Sequence, residues 1–242
     1  MHFFNRALLA SGIIFTAALF AIPVFGAGNG RSSGKVVLSV DFNEETHMIF
    51  MREEEKLARD VYITLGDLYP DAIVFSNIDD AEQQHTDTVR DKLAQYNIDD
   101  PNPDTNNKNS IGVFTGDDYG WYFTEKYNFL VEWGTTSELD ALYVGAFIEE
   151  LDMLDIVQCP KVIVDAENGL NDPSECGLDY TDNSDIQSML GSLLEGSKNH
   201  LRSYVGNIEA GEGVCTYRAQ VLTQLEVDII LGRVGECDYE YE

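Results

Sequence analysis

Residues 79–89 read DDAEQQHTDTV. Around them Ile78, Val89, Leu93 and Tyr96 recur at the three- and four-residue steps of one helix face, and Glu82 and His85 fall on that same face. At 100° per residue the two polar side chains stand about 60° apart. The segment therefore reads as an amphipathic helix carrying an acid and an imidazole inside its apolar stripe. Polar groups in such a stripe are more informative than the apolar residues beside them. Ser76, with Asp79 three residues on, reads as the N-cap of this helix in the manner of a capping box.

Outward from this helix B, the same periodicity predicts three more. Helix A begins near Asn43, shows Leu57, Val61, Leu65 and Leu68 on one face, and stops at Pro70. Helix C runs from about Ser137 to Val157, with Leu139, Leu142, Ala146, Glu150 and Met153 in line. Helix D runs from about Ser184 to Val205 on Ile186, Leu190, Leu193, Ser197, His200 and Tyr204. Between B and C lies the polar tract DDPNPDTNNKNSIG and then YGWYFTEKYNFLVEWG, a partial helix within a long crossover. KVVLSVDF, before helix A, reads as a brief strand or an extended lead-in, and RAQVLTQLEVDIIL as a short C-terminal helix. Four long amphipathic segments and few strand signals predict an all-α four-helix bundle over 43–206, with an insertion at 158–180 and an extension at 207–242.

The bulk of the chain narrows the function. Its 242 residues are 44% hydrophobic and 11% aromatic, which excludes a disordered chain despite a formal charge of −28. That charge repels phosphates, so nucleic acid and anionic membranes are excluded as partners. Arg6, the apolar run ALLASGIIFTAALFAIPVFG and small residues up to Ala27 fit a secretory signal peptide over 1–27, followed by a linker over 28–42. The protein is then secreted, periplasmic or at the cell surface, without stable membrane association. An uncleaved N-terminal membrane anchor is the alternative. Export makes disulfides the default for Cys159, Cys176, Cys215 and Cys237. The favoured pairing is Cys159–Cys176 with Cys215–Cys237, because each pair brackets a Gly- and Asp-containing loop or tail. No C-x-x-C is present for a zinc or rubredoxin-type iron knot.

Other chemistry is thinly signalled. DAENGLND and DPNPDTNNKN miss the ligand spacing of an EF-hand. No glycine-rich phosphate loop is found, and His47 reads as a surface side chain. The strong pattern is the inward set. Glu150 sits mid-face on helix C with Glu149 at the edge, Ser197 and His200 share helix D's stripe, and the broad apolar arc of helix A admits Glu54 or Glu55 as its inward acid, periodicity leaning toward Glu54. Burying carboxylates without compensation costs several kcal/mol. A cation among carboxylates and neutral imidazoles removes that cost, and such ligands suit iron and manganese.

EKLARDVY, residues 55–62, resembles the first-helix signature of ferritins and rubrerythrins: a Glu, an Ala three later and a Tyr seven later. FSNIDDAEQQH is similar to the rubrerythrin helix that carries Glu-x-x-His, and VGAFIEELDMLD and LLEGSKNHLRSYV stand where the third and fourth helices belong. With MREEEKLARDVY as a block, the chain most resembles an uncharacterised family of secreted, ferritin-like bacterial and archaeal proteins, over roughly 43–206. The resemblance implies Glu55 rather than Glu54 as the helix A ligand, Glu82 bridging two metals, His85 binding one of them, Glu150 from helix C and His200 from helix D. It also implies one departure. Helix D should carry Glu-x-x-His and has Ser197-x-x-His200, which leaves one ion, two ions with an outside bridge, or a rescue by Glu149.

The expected protein is thus an exported ferritin-like metal binder holding one or two iron or manganese ions, with ferroxidase or peroxide- and O₂-linked oxidase chemistry. The competing expectation is a non-enzymatic secreted helical module with a degenerate site. The sequence leaves open whether the chain is an enzyme, and it is compatible with a homo-oligomer.

Overall fold

The computed structural model describes residues 39–103, 108–166 and 169–238. The signal peptide and most of the lead-in expected before residue 42 lie outside these residues. Within them the fold is all-helical, with seven α-helices and no strand: α1 Phe42–Leu68, α2 Val74–Tyr96, α3 Gly120–Gly134, α4 Glu138–Val157, α5 Lys161–Asp165, α6 Ser184–Glu212 and α7 Gln224–Leu231. No helix among the described residues is long and apolar enough to cross a membrane.

Local chemistry explains where the helices begin. Asp41 accepts from the Glu44 amide at 2.8 Å while its own amide donates to Glu44 at 3.1 Å, a reciprocal box that starts α1. The Ser76 cap is incorrect. α2 begins at Val74 without a side-chain cap, and Ser76 lies in its first turn, donating to the Ile73 carbonyl at 3.1 Å. Asn97 closes α2 in the left-handed conformation, φ 59°. α6 continues past Val205 to Glu212 because Ile208 is still fully buried.

α1 packs along α2, α4 along α6, and α2 and α1 complete the contacts to α6 and α4. Packed neighbours run antiparallel: Tyr62 and His47 of α1 meet Gly145 and Asp155 of α4, and His85 and Lys92 of α2 meet His200 and Asp185 of α6. α1 and α6 run parallel, Tyr62 meeting Tyr204 and Glu44 meeting Thr181 just before α6. Apolar faces led by Met51, Val61, Val89, Ile148, Leu193 and Leu201 fill the centre.

The crossover is more ordered than its polarity suggests. α3 is a full helix rather than a partial one, and its Phe123 sits 4.9 Å from Phe50 of α1. Among the charged side chains that α1 buries are Arg52, Lys56, Arg59 and Asp60. Lys56 pairs with Asp60, donates to the Ser110 carbonyl at 3.1 Å and stands 4.4 Å over the Phe114 ring. Asp60 also accepts from Arg59 and from the Gly112 amide, and Arg52 reaches Asp100 at 3.1 Å. A hydrogen-bonded charge inside a protein must be partnered, and here the partners are the crossover itself.

The cysteines pair as expected, Cys159 with Cys176 and Cys215 with Cys237. The insertion folds back on the helices: the Leu178 amide donates to the Ile156 carbonyl at 2.9 Å, and Asn43 donates to the Glu175 carbonyl at 2.9 Å. His47 is a second correction. It is buried, only 2% exposed, with Nε2 2.7 Å from the Asp155 carbonyl, because the end of α4 covers the face of α1 that precedes the main apolar stripe.

Candidate metal centre

The helices bring acids and imidazoles from four directions to one buried point. His85 Nδ1 lies 3.0 Å from Glu82 Oε2 and 3.2 Å from Glu55 Oε2. His200 Nδ1 lies 2.7 Å from Glu82 Oε1 and 3.5 Å from Glu149 Oε2. The two imidazole rings are 5.4 Å apart. Glu82, His85 and His200 each offer a ligand atom, all within 4.8 Å of one another. Glycine makes the approach possible: a Cβ on Gly196 would stand 2.4 Å from the His85 ring.

α4 contributes differently from the expectation. Glu149, not Glu150, faces the cluster, where it accepts from the Tyr62 hydroxyl at 2.6 Å. Glu150 points the other way. It accepts from Tyr217 at 2.6 Å and from the amides of Gln220, Val221 and Leu222 at 2.9, 2.6 and 2.9 Å. The reason is that α4 is buried on two sides, by α1 and α6 and again by the C-terminal extension, so the middle of its apolar arc does not coincide with the side facing the cluster.

Sequence reading also missed Asp152, one turn beyond Glu149 on the same face. The Ser197 hydroxyl donates to Asp152 Oδ2 at 2.5 Å and to the Leu193 carbonyl at 3.0 Å. Asp152 therefore stands beside the very position where α6 lacks its glutamate. The Glu149-x-x-Asp152 spacing was the signal that would have found it. Of the remaining candidates, Glu55 is in the cluster, whereas Glu54 turns toward Asp155 and Asp152.

Electrostatics favour a guest of positive charge. Burial pushes the Glu55 carboxyl up to about 7 against the pull of His85, and it raises Glu149 and Asp152 as well. Burial acts the same way on Glu82, but His85 and His200 outweigh it and hold that acid well below the usual carboxylate range. Burial lowers both imidazoles; nevertheless Glu82 and Glu55 carry His85 up to about 12, and Glu149 and Glu82 carry His200 up to about 10. Four carboxyls face two imidazoles, and the acids that burial raises hold protons there which a cation would displace. Three ligand-type atoms, Glu55 Oε1, Asp152 Oδ1 and His200 Nδ1, are buried without a hydrogen-bond partner. The last is only 2.7 Å from Glu82 yet off the axis of a donated bond. Converging lone pairs with unspent capacity are the condition a cation relieves.

The molecule is thus an all-helical, disulfide-bonded protein built around a buried acid–imidazole cluster. The chain belongs to the family of the uncharacterized protein domain DUF2202, which it matches over residues 44–168 and 174–233. That span takes in every residue of the cluster, most of the insertion, and α7, which lies beyond the 43–206 of the resemblance. The chain is 43% identical over 162 residues to the uncharacterized protein MJ0754 of Methanocaldococcus jannaschii, covering 67% of this chain and 73% of the relative. It is also similar to the crystal structure of the hypothetical protein MJ0754 from Methanococcus jannaschii, with a TM-score of 0.65 and 36% identity, over 81% of this chain and 95% of that one.

Proposed function

We propose that the protein is an exported, ferritin-like four-helix bundle that binds iron or manganese through Glu55, Glu82, His85, Glu149 and His200, with Asp152 supplying the carboxylate that Ser197 lacks. The observation that carries this reading is the convergence of Glu82, His85 and His200 within 4.8 Å beside ligand-type atoms that no protein group satisfies. Mixed carboxylate and imidazole donors suit these first-row ions. When bound, such an ion supplies one-electron redox chemistry toward O₂ or peroxide.

The chain's own groups do the rest. Glu82 lies between the two imidazoles and orients both. The Tyr62 hydroxyl fixes Glu149, and Ser197 fixes Asp152. Such outer partners set ligand direction and basicity. Tyr62, Phe75 and Tyr204, with ring centroids 5.3–6.3 Å apart, close the cluster on the side toward the start of α2 and exclude water there. Ligation displaces the protons that the imidazoles otherwise hold. The two disulfides suit the oxidising compartment that export implies.

The test is metal content after expression with ferrous salt, together with thermal unfolding in Fe²⁺, Mn²⁺ and Zn²⁺. A ligand bound only by the folded state raises stability by about 2.7 kcal/mol at a hundred times its dissociation constant. The wild type should gain such an increment and Glu82→Ala should lose it. A metal-free wild type indifferent to all three ions overturns the reading. Ser197 favours a second one, a secreted helical module whose site has decayed. Under it Glu82→Ala and His85→Ala would leave function intact and raise stability.

A further inference from the structure

A buried ion reacts only with what can reach it. The side chains of Glu55, Glu82 and Glu149 are at most 2% exposed, whereas those of His85 and His200 are 16% and 11% exposed. Water therefore meets the cluster at its imidazole edges, along the seam between α2 and α6. That seam is fastened at both ends. At one, the rings of Phe75 in α2 and Tyr204 in α6 have centroids 5.6 Å apart. At the other, Asp185 near the start of α6 accepts from Lys92, Gln95 and Tyr96 of α2 at 3.0, 2.9 and 2.5 Å.

Midway along the seam a side chain is missing. Gly196 of α6 faces His85, and a Cβ there would stand 2.4 and 2.5 Å from Cε1 and Nε2 of the ring but 3.7 Å from Nδ1. Nδ1 faces Glu82 and Glu55, so the opposite edge of the ring looks across at bare backbone. At 100° per residue, Ser192 and Ser203 share the flank of α6 that carries Asp185 and Gly196, and both are exposed. On α2, Ala81 and Thr88 stand on the outer side of His85, four residues before it and three after. The rim is built of small side chains, and behind it lies His200 Nδ1, buried with no hydrogen-bond partner.

We propose that the gap at Gly196 is the entrance through which a small exogenous ligand reaches the centre, with His85 as its movable door; this rests on the metal-binding reading above. The His85 and His200 rings, with centroids 5.4 Å apart, are closer than the roughly 7 Å that a molecule between them needs for a contact on each face. Passage therefore requires the His85 ring to tilt outward, and at position 196 α6 has no side chain to oppose the tilt. An opening one side chain wide admits a ligand of two or three heavy atoms, such as dioxygen, peroxide or azide, and turns away organic substrates. The oxidant then arrives on the imidazole side, and the carboxylates stay dry behind it.

Two substitutions would cover the gap without touching the cluster. A helical side chain covers the turn before its own Cα, so Thr88→Trp lies over His85 and Ser203→Trp over His200. Hydroxyl-radical footprinting of the metal-free protein should oxidise His85 and His200, spare the buried His47, and show both reactive imidazoles protected in the variants. In protein loaded with ferric iron, azide should bind, and each tryptophan should slow its association at least about 10-fold with iron content unchanged. Variants on opposite walls guard against misfolding of one. Imidazoles as unreactive as His47, or azide association unchanged in both variants, overturn the entrance. Benzoate binding as fast as azide overturns its small size. A wild type that holds no iron sinks the metal-binding reading instead, and footprinting alone then decides whether the gap opens onto the imidazoles.

Discussion

Glu149 and Glu150 are neighbours in the chain, yet one turns to Tyr62 and His200 and the other to Tyr217 and the amides of residues 220–222. Their alanine variants should therefore separate. Glu150→Ala strands one buried hydroxyl and three part-buried amides; a buried group left unpaired costs about 1–3 kcal/mol and amides that water can reach cost less, so a loss of about 3 kcal/mol in urea unfolding is expected with metal content unchanged. Glu149→Ala should do the opposite, lowering metal content at little cost to the metal-free fold. Equal metal loss in both would return Glu150 to the centre. Gly196 offers a second residue-scale test. In a helix interior, alanine normally stabilises by about 1 kcal/mol over glycine, but here its Cβ would meet the His85 ring at 2.4 Å. Gly196→Ala should weaken metal binding by about 10- to 100-fold through displacement of that ring, read by titration with Zn²⁺.

At the scale of elements, what was legible follows from what periodicity measures. α1, α2, α4 and α6 each have one dominant apolar stripe, and 3.6-residue recurrence finds such helices. Glu82, His85 and His200 were legible for the same reason, as polar interruptions of a stripe. Glu150 was misread because α4 has two buried sides, and a single stripe cannot say which side faces the acid–imidazole cluster. The helix that would become α3, and the ion pairs of Arg52, Lys56 and Asp60, depend on contacts between α1 and a crossover far away in sequence. Local pattern showed α3 only as a partial helix and encodes none of these contacts with the crossover. The insertion yields a prediction at this scale. Cys159 and Cys176 close a loop of 17 residues, for which chain entropy gives about 3 kcal/mol. Cys159→Ala/Cys176→Ala should lower stability by about that amount and leave metal content alone, since the loop carries no residue of the cluster. Loss of bound metal in this variant would show that the insertion props up the end of α4.

The whole molecule carries a formal charge of −28, with 43 acids against 15 lysines and arginines. Several of the acids are buried where only protons or cations can balance them, so its stability should depend on cations more than on salt in general. The molecule also holds buried phenols. Burial, with Asp118 and Glu53, pushes Tyr119 up to about 12, and burial with Glu150 raises Tyr217 further. A group whose folded value is raised favours its protonated form in the fold. Its contribution is complete below the unfolded value near 10 and is lost as pH rises through that value toward the folded one. Tyr119 alone accounts for at most about 2.7 kcal/mol, less what its partial exposure removes. Unfolding monitored by tyrosine absorbance should show these phenols ionising together with loss of helix between pH 10 and 12. Free titration near 10 in a still-helical protein would contradict it.

The grip of Glu150 on residues 217–222 has a practical corollary for anyone trimming the chain. A shortened version ending at Glu212 would keep every proposed ligand, but would uncover the outer flank of α4 and leave a bare carboxylate there beside newly wetted apolar surface. Such a fragment should precipitate or associate with itself, and the single conservative replacement Glu150→Gln should not rescue it, because the lost partner is the tail and not the charge.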